Sequence, residues 1–165
     1  MEQTSHDNIN SPNDAAIALL KIANDIVTEF VEKLKEEPEI KENKNVSKLE
    51  SELTFFSWFA LDYWVSKSFD KDVSEAIRNA LNNYLEEFVN ESQDSQNLIE
   101  IINTRLTTYA QIINDKIEDS AKYFNLGTTF ANYCEMGHPL LWIAAPEIFT
   151  SVLKIIPIIA DELSK

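Results

Sequence analysis

"ELTFFSWFALDYW", Glu52–Trp64, decides how the rest of the chain is read. Three Phe, two Trp, one Tyr, two Leu and an Ala crowd around two carboxylates, Glu52 and Asp62. On a helix with about 100° between residues, these apolar side chains point in nearly every direction. A helix that is apolar on all sides has to be surrounded by others. The stretch therefore predicts an all-α bundle with a central helix over about 47–68, and the flanks must supply the helices that enclose it.

They do so. Glycine occurs only at Gly127 and Gly137, and apolar residues recur at helical spacing almost throughout. In "SPND", Ser11 suits a helix cap, Pro12 the first helical position and Asp14 the acceptor of a capping box. From there Ala16, Leu19, Ala23, Val27, Phe30 and Leu34 form one stripe that Pro38 ends, and "EEPEIKENKNVSK" reads as a charged connection without a packing pattern. A third helix, about Asp72 to Asn90, carries Val73, Ile77, Leu81, Leu85 and Phe88 on one face. A fourth starts near Ser95 with Leu98, Ile102, Leu106, Tyr109, Ile113 and Ile117, and is expected to end before Gly127, at a length of roughly 45 Å. "TTFANYCEM" is a shorter helix, and Pro146 is placed at the start of the last one, which Pro157 should kink or break. The count is five to six helices. Residues 1–10 read as a flexible tail and 11–165 as a single domain.

Composition sets limits on function. Cys134 is the only cysteine, so neither an intramolecular disulfide nor a cysteine-based zinc cluster can form. The opening "MEQTSHDNIN" has no basic region and no apolar run, which points to a cytoplasmic protein. The formal charge is −14, from 28 acids against 14 bases. Such a surface gains nothing from phosphates and is repelled by anionic lipid, so neither nucleic acid nor membrane is expected as a partner. It does attract basic partners over a range that salt shortens. Trp142 to Ala160 is long enough to span a bilayer, but Glu147, Lys154 and two prolines interrupt it and favour a core helix.

Glu52 and Asp62 remain to be explained. Ten residues apart on a helix, they differ by about 80° around the axis and about 15 Å along it. Catalytic carboxylate pairs sit roughly 5–9.5 Å apart, so these two are not a dyad. The chain has two arginines, Arg78 and Arg105. Arg105 falls among Leu98, Ile102, Tyr109 and Ile112 on the apolar face of its helix, where a guanidinium can take a carboxylate in bidentate fashion. Arg105 is therefore expected to face the central helix and pair with Glu52 or Asp62. The alternative is a ligand pocket in which Glu52, Asp62 and Arg105 stand beside Trp58 and Tyr63. In either arrangement the indole N–H of Trp58 or Trp64 has an acid within reach as acceptor.

Other chemistry is poorly supported. "CEMGHP" contains Glu135 and His138 in Glu-x-x-His spacing, but Gly137 and Pro139 break the helix that a di-iron motif requires, and the other histidine is His6. Glu91 and Asp94 form one Glu-x-x-Asp without the Glu-x-x-Glu that a magnesium-dependent pyrophosphatase would place before it. No phosphate-binding glycine loop and no nucleophile elbow occur. Cys134 stands beside Glu135, which raises rather than lowers a thiol pKa. No metal or other cofactor is expected.

The order "ELTFFSWFALDYW", an acidic amphipathic helix, "INTRLTTYAQII" and "FANYCEMG", over residues 50–136, resembles small all-α bacterial proteins of unassigned function that open on a Glu, an aromatic run and an Asp. The resemblance implies an all-α fold and brings no activity. The leading expectation is a non-catalytic interaction module (an adaptor, inhibitor or immunity-type protein) whose partner is basic or apolar, with a homodimer as another form of association. The alternative is a small-molecule-binding or metal-dependent hydrolytic protein with its pocket at Glu52, Asp62 and Arg105.

Overall fold

A computed structural model of the chain describes residues 9–92 and 94–164. Among these the chain forms seven helices and no strand: α1 Pro12–Lys35, α2 Pro38–Lys41, α3 Val46–Ser68, α4 Lys71–Asn90, α5 Ser95–Asn114, α6 Asp119–Tyr133 and α7 Pro139–Leu163. The architecture is an all-α bundle. α3 is its central helix, touching α1, α4, α5, α6 and α7. One apolar cluster draws on all seven helices, with Phe56, Tyr109, Phe130 and Phe149 among its fully buried members.

α1 starts where the sequence indicates. The Ser11 hydroxyl accepts the Asp14 N–H at 3.1 Å, and Asp14 in turn accepts the Asn10 N–H at 3.2 Å. These bonds satisfy donors that the first turn would otherwise leave without partners. The expected flexible tail, 1–10, lies mostly outside the described residues, and Ile9 packs against the core. α1 ends at Lys35, before Pro38. Pro38 then opens α2, a single turn whose Ile40 is buried, so the supposed patternless connection contributes to the core.

The expected long fourth helix is two helices. α5 stops at Asn114 and α6 begins at Asp119, leaving Ile117 exposed between them. The reason is local: in "NDKIED" the Asp115 carboxylate accepts the Lys116 N–H at 2.8 Å, the kind of short-range bond that competes with a helix. Gly127 is consequently inside α6 rather than beyond a helix end, and "TTFANY" is the second half of α6. α6 closes in a Schellman motif, with Met136 N–H on the Ala131 carbonyl and Glu135 N–H on that of Asn132. Glu135 adopts the left-handed backbone at φ 54° that the motif needs, and Met136 is buried beside it.

α7 starts seven residues earlier than Pro146, at Pro139, with His138 as its cap: the imidazole Nδ1 accepts the Leu140 N–H at 3.3 Å. The helix continues through both Pro146 and Pro157, so of the kink or break expected at Pro157 the break does not occur. Each proline deprives the carbonyl four residues before it of its helical donor. By length and composition α7 could cross a membrane, but Leu141, Ala145, Ile148, Phe149, Val152, Ile156 and Ile159 are buried in the bundle. Its outer side leaves Trp142, Ile143, Leu153 and Ile158 exposed.

Candidate functional site

The two carboxylates of the central helix have gone to different partners. Glu52 is buried in α3, and Arg105 reaches it from α5: Nε lies 3.1 and 2.9 Å from its two oxygens and Nη2 lies 2.7 Å from Oε1. The side chains keep only 7% and 17% of their surface exposed. The guanidinium also lies over the ring of Tyr133 of α6, its Cζ 3.5 Å from the ring centre. Arg105 is thus enclosed between a carboxylate and an aromatic face, an arrangement that suits a planar cation. Burial works against its charge, but the Glu52 hydrogen bonds and charge outweigh burial and raise its pKa.

The surroundings of this pair are closed. Tyr133 bonds Thr108 at 3.1 Å. Tyr109 stands edge-on to Phe56, at 4.8 Å between ring centres. Among the described residues nothing hydrogen-bonds the Tyr109 hydroxyl. Burial, and then the negative charge of Glu52, push its pKa well up and keep the phenol neutral. Cys134 is equally enclosed. Burial, with Glu52 adding to it, drives its thiol far above the usual range, the reverse of what a nucleophile requires. Cys134 should therefore stay unmodified by an aromatic disulfide reagent in the folded protein and react with one equivalent once denatured, a difference of at least 100-fold in rate on the order expected for opening-limited access. Prompt labelling of the native protein would contradict this closed cluster.

Asp62 does not meet Arg105. It is held by Arg78 of α4, with Nε at 2.6 Å from Oδ1 and Nη2 at 3.0 Å from Oδ2. The reason is angular: the 80° between Glu52 and Asp62 aims one acid at α5 and the other at α4. This second pair is open, at 44% and 40% exposure, and belongs to the class of ion pairs contributing about 0–1 kcal/mol. The sequence carried a signal for it. Arg78 is seven residues before Leu85 and therefore shares its face of α4, just as Arg105 shares the apolar face of α5.

The five residues proposed for a pocket are thus divided. Glu52 and Arg105 are inside the bundle. Asp62 and Tyr63 border an open depression of about 370 Å³ between α3 and α5, with Lys67 lying 5.8 Å from the Tyr63 ring centre. Trp58 lines neither and packs half-buried on the core. The acids also take no indole: Trp64 donates its N–H to the Phe149 carbonyl of α7, at 2.9 Å. Among the described residues no group of three or more His, Cys, Asp or Glu is placed to hold a metal ion. His138 faces Glu39 at 3.7 Å, at the junction of α6 and α7. A second depression, of about 450 Å³, lies between α4 and α5 over Val89 and Ile102.

What this arrangement can do chemically follows from its saturation. Both Glu52 oxygens are occupied, and the thiol and phenol beside them are held in their neutral forms. At this pair, among the described residues, neither a free base nor a nucleophile is presented. Compared with protein-family profiles, with curated proteins and with solved structures, the chain finds no match in any of the three.

Proposed function

We propose that the protein is a non-catalytic interaction module that recognises a basic partner protein through its acidic exterior. The observation that carries this reading is the saturation of the Glu52–Arg105 pair, enclosed by Tyr109, Tyr133 and Cys134. A pair of this kind fixes the register of α5 on α3 and leaves no charge for a substrate. The charge that remains unassigned is outside. With 14 more acids than bases, the surface carries a field that accelerates encounter with a cationic protein and disfavours an anionic one.

Two measurements test this together. Proteins retained from a cell extract on the immobilised chain should be basic and should elute as salt rises from about 0.1 to 0.5 M, where screening shortens below 10 Å. A thermal-shift screen of metabolites and divalent cations should leave the unfolding midpoint unchanged. A metabolite or metal that raises the midpoint by several degrees, with no salt-sensitive protein retained, would replace this reading with the ligand-binding one.

A further inference from the structure

The two depressions lie along one face of α5. Ile99, Ile102 and Asn103 border the upper one, and Leu106, Ala110 and Asn114 border the lower. These positions recur at three- and four-residue spacing, so they form a single stripe on the helix. α4 walls the upper part with Leu85, Glu86 and Val89, while α3 provides the lower part with Phe59, Asp62 and Tyr63. From Ile99 to Asn114 the stripe is roughly 22 Å long, or about four helical turns. Its floor is apolar: Val89 and Ile102 belong to a small cluster of their own with Phe55, apart from the main core.

Charge around the upper end is one-sided. Between Arg78 and Arg105 the chain has five acids, Glu86, Glu87, Glu91, Asp94 and Glu100, and no Lys, Arg or His. Three of them sit at or just past the C-terminal end of α4, where the helix dipole favours cations. α1 follows that rule, ending with Lys33 and Lys35. The end of α4, with Glu87 in its last turn and Glu91 at its cap, is therefore a place where the chain carries negative charge against the local preference and where a cation from outside would be stabilised.

From these features we infer that the α5 stripe docks a basic amphipathic helix of a partner protein. This deepens the interaction reading above and rests on it. An incoming helix lays apolar residues at i, i+3, i+4 and i+7 against Leu85 and Ile99, above the buried Val89 and Ile102, and its Lys or Arg residues flank Glu86 and the end of α4. Its cations concentrate toward that end, because at the other end Asp62 is already neutralised by Arg78 and Lys67 is nearby. No strand is present among the described residues to accept an added β-strand. A second copy of the chain would bring a net charge of −14 to a groove of the same sign, which disfavours it.

The probe is a fluorescein-labelled 16-residue peptide with Leu at i, i+3, i+4 and i+7 and Lys elsewhere, beside a counterpart with Glu for Lys. Anisotropy is followed with the full chain at 50 and 300 mM salt, and amide shifts are mapped with the unlabelled peptide. Binding of the lysine peptide alone is expected, with shifts confined to α5 and the facing residues of α4 and α3. Ile99→Lys and Glu86→Lys, both at exposed positions, should weaken it at least tenfold. Ile143→Lys on α7 and Glu32→Lys on α1 make the same changes elsewhere and should alter it less than twofold. Equal losses from all four variants would mean attraction to the acidic surface in general; the groove would then be wrong and the interaction reading would stand. Absence of binding by the parent at 50 mM salt would also overturn the groove, and the capture experiment would judge the broader reading by itself. A parent that sediments as a dimer, and as a monomer with Ile99→Lys, would assign the groove to a second copy and overturn the proposal.

Discussion

Arg105→Met should lower folding stability by about 3–5 kcal/mol, because it strands the Glu52 carboxylate inside the bundle. For a chain of this size each kcal/mol moves the unfolding midpoint by roughly 2–4 °C, so the loss is about 6–20 °C. Three hydrogen bonds disappear, and so does the cation over the Tyr133 ring. The size of the effect comes mainly from what is left behind. Among the described residues Glu52 has no second cation within hydrogen-bond distance, and it has too little exposure to be solvated. The double variant Glu52→Leu, Arg105→Met removes both charges and should recover most of the loss, since replacing a buried pair with apolar residues is often close to neutral. Thermal melts of the two single variants and the double one form a cycle. A single variant within 1 kcal/mol of the parent, or a double variant no better than the worse single, would show that the pair is not buried as described.

Gly127→Ala gives the second large loss. In the middle of a helix this change ordinarily stabilises by about 1 kcal/mol. Here a β-carbon would lie 1.7 Å from the Trp142 carbonyl oxygen, 2.6 Å from its carbon and 2.9 Å from the Trp142 Cα, all backbone atoms. No side chain can rotate to make room, so α6 and α7 must separate. A loss of about 3 kcal/mol or more, or roughly 6–12 °C, is expected. The sequence shows why the helices meet so closely at this point. Pro146 has no N–H, so the Trp142 carbonyl lacks its helical donor and the Cα hydrogen of Gly127 faces it instead. Gly137 is the control. Nothing lies within 4 Å of a β-carbon there and its φ is not positive, so Gly137→Ala should be neutral or slightly stabilising. Equal melts for the two variants would rule out the close crossing.

The fold was legible because its strongest signal was long and regular. The middle of α3, Glu52 to Val65, is apolar on nearly every side and admits no other position than a bundle centre. The placement of Arg105 was legible for a related reason, since a charge on an apolar stripe must have a partner. Asp62 shows the limit. Its partner lies 16 residues ahead, and choosing Arg78 over Arg105 depends on how α4 is rotated against α3. The division between α5 and α6 was missed because Ile117 continues the apolar spacing while its neighbours form local bonds instead. Gly127 reads as a helix end when only propensity is considered. Its actual role depends on a carbonyl of another helix, which no local pattern contains. The α5 groove was equally out of reach: its two walls come from helices that the sequence alone does not bring together.

The central helix also has a place in time. α3 is enclosed in part by α7, whose Phe149 stacks on Phe59 and whose backbone takes the Trp64 N–H. On a ribosome the 71 residues from Ser68 to Pro139 take roughly 4–14 s to follow. Throughout that interval the aromatic-rich central helix lacks its final cover. α1 is already made and can shield one side, but the aromatic ring pairs on the side toward α7 must wait. The nascent polypeptide should therefore expose this aromatic side until α7 is synthesised, which is the kind of surface that chaperones bind. A sequence variant that delays α7, by rare codons or by a slow step near Pro146, would be felt as lost yield even if the finished fold were unchanged.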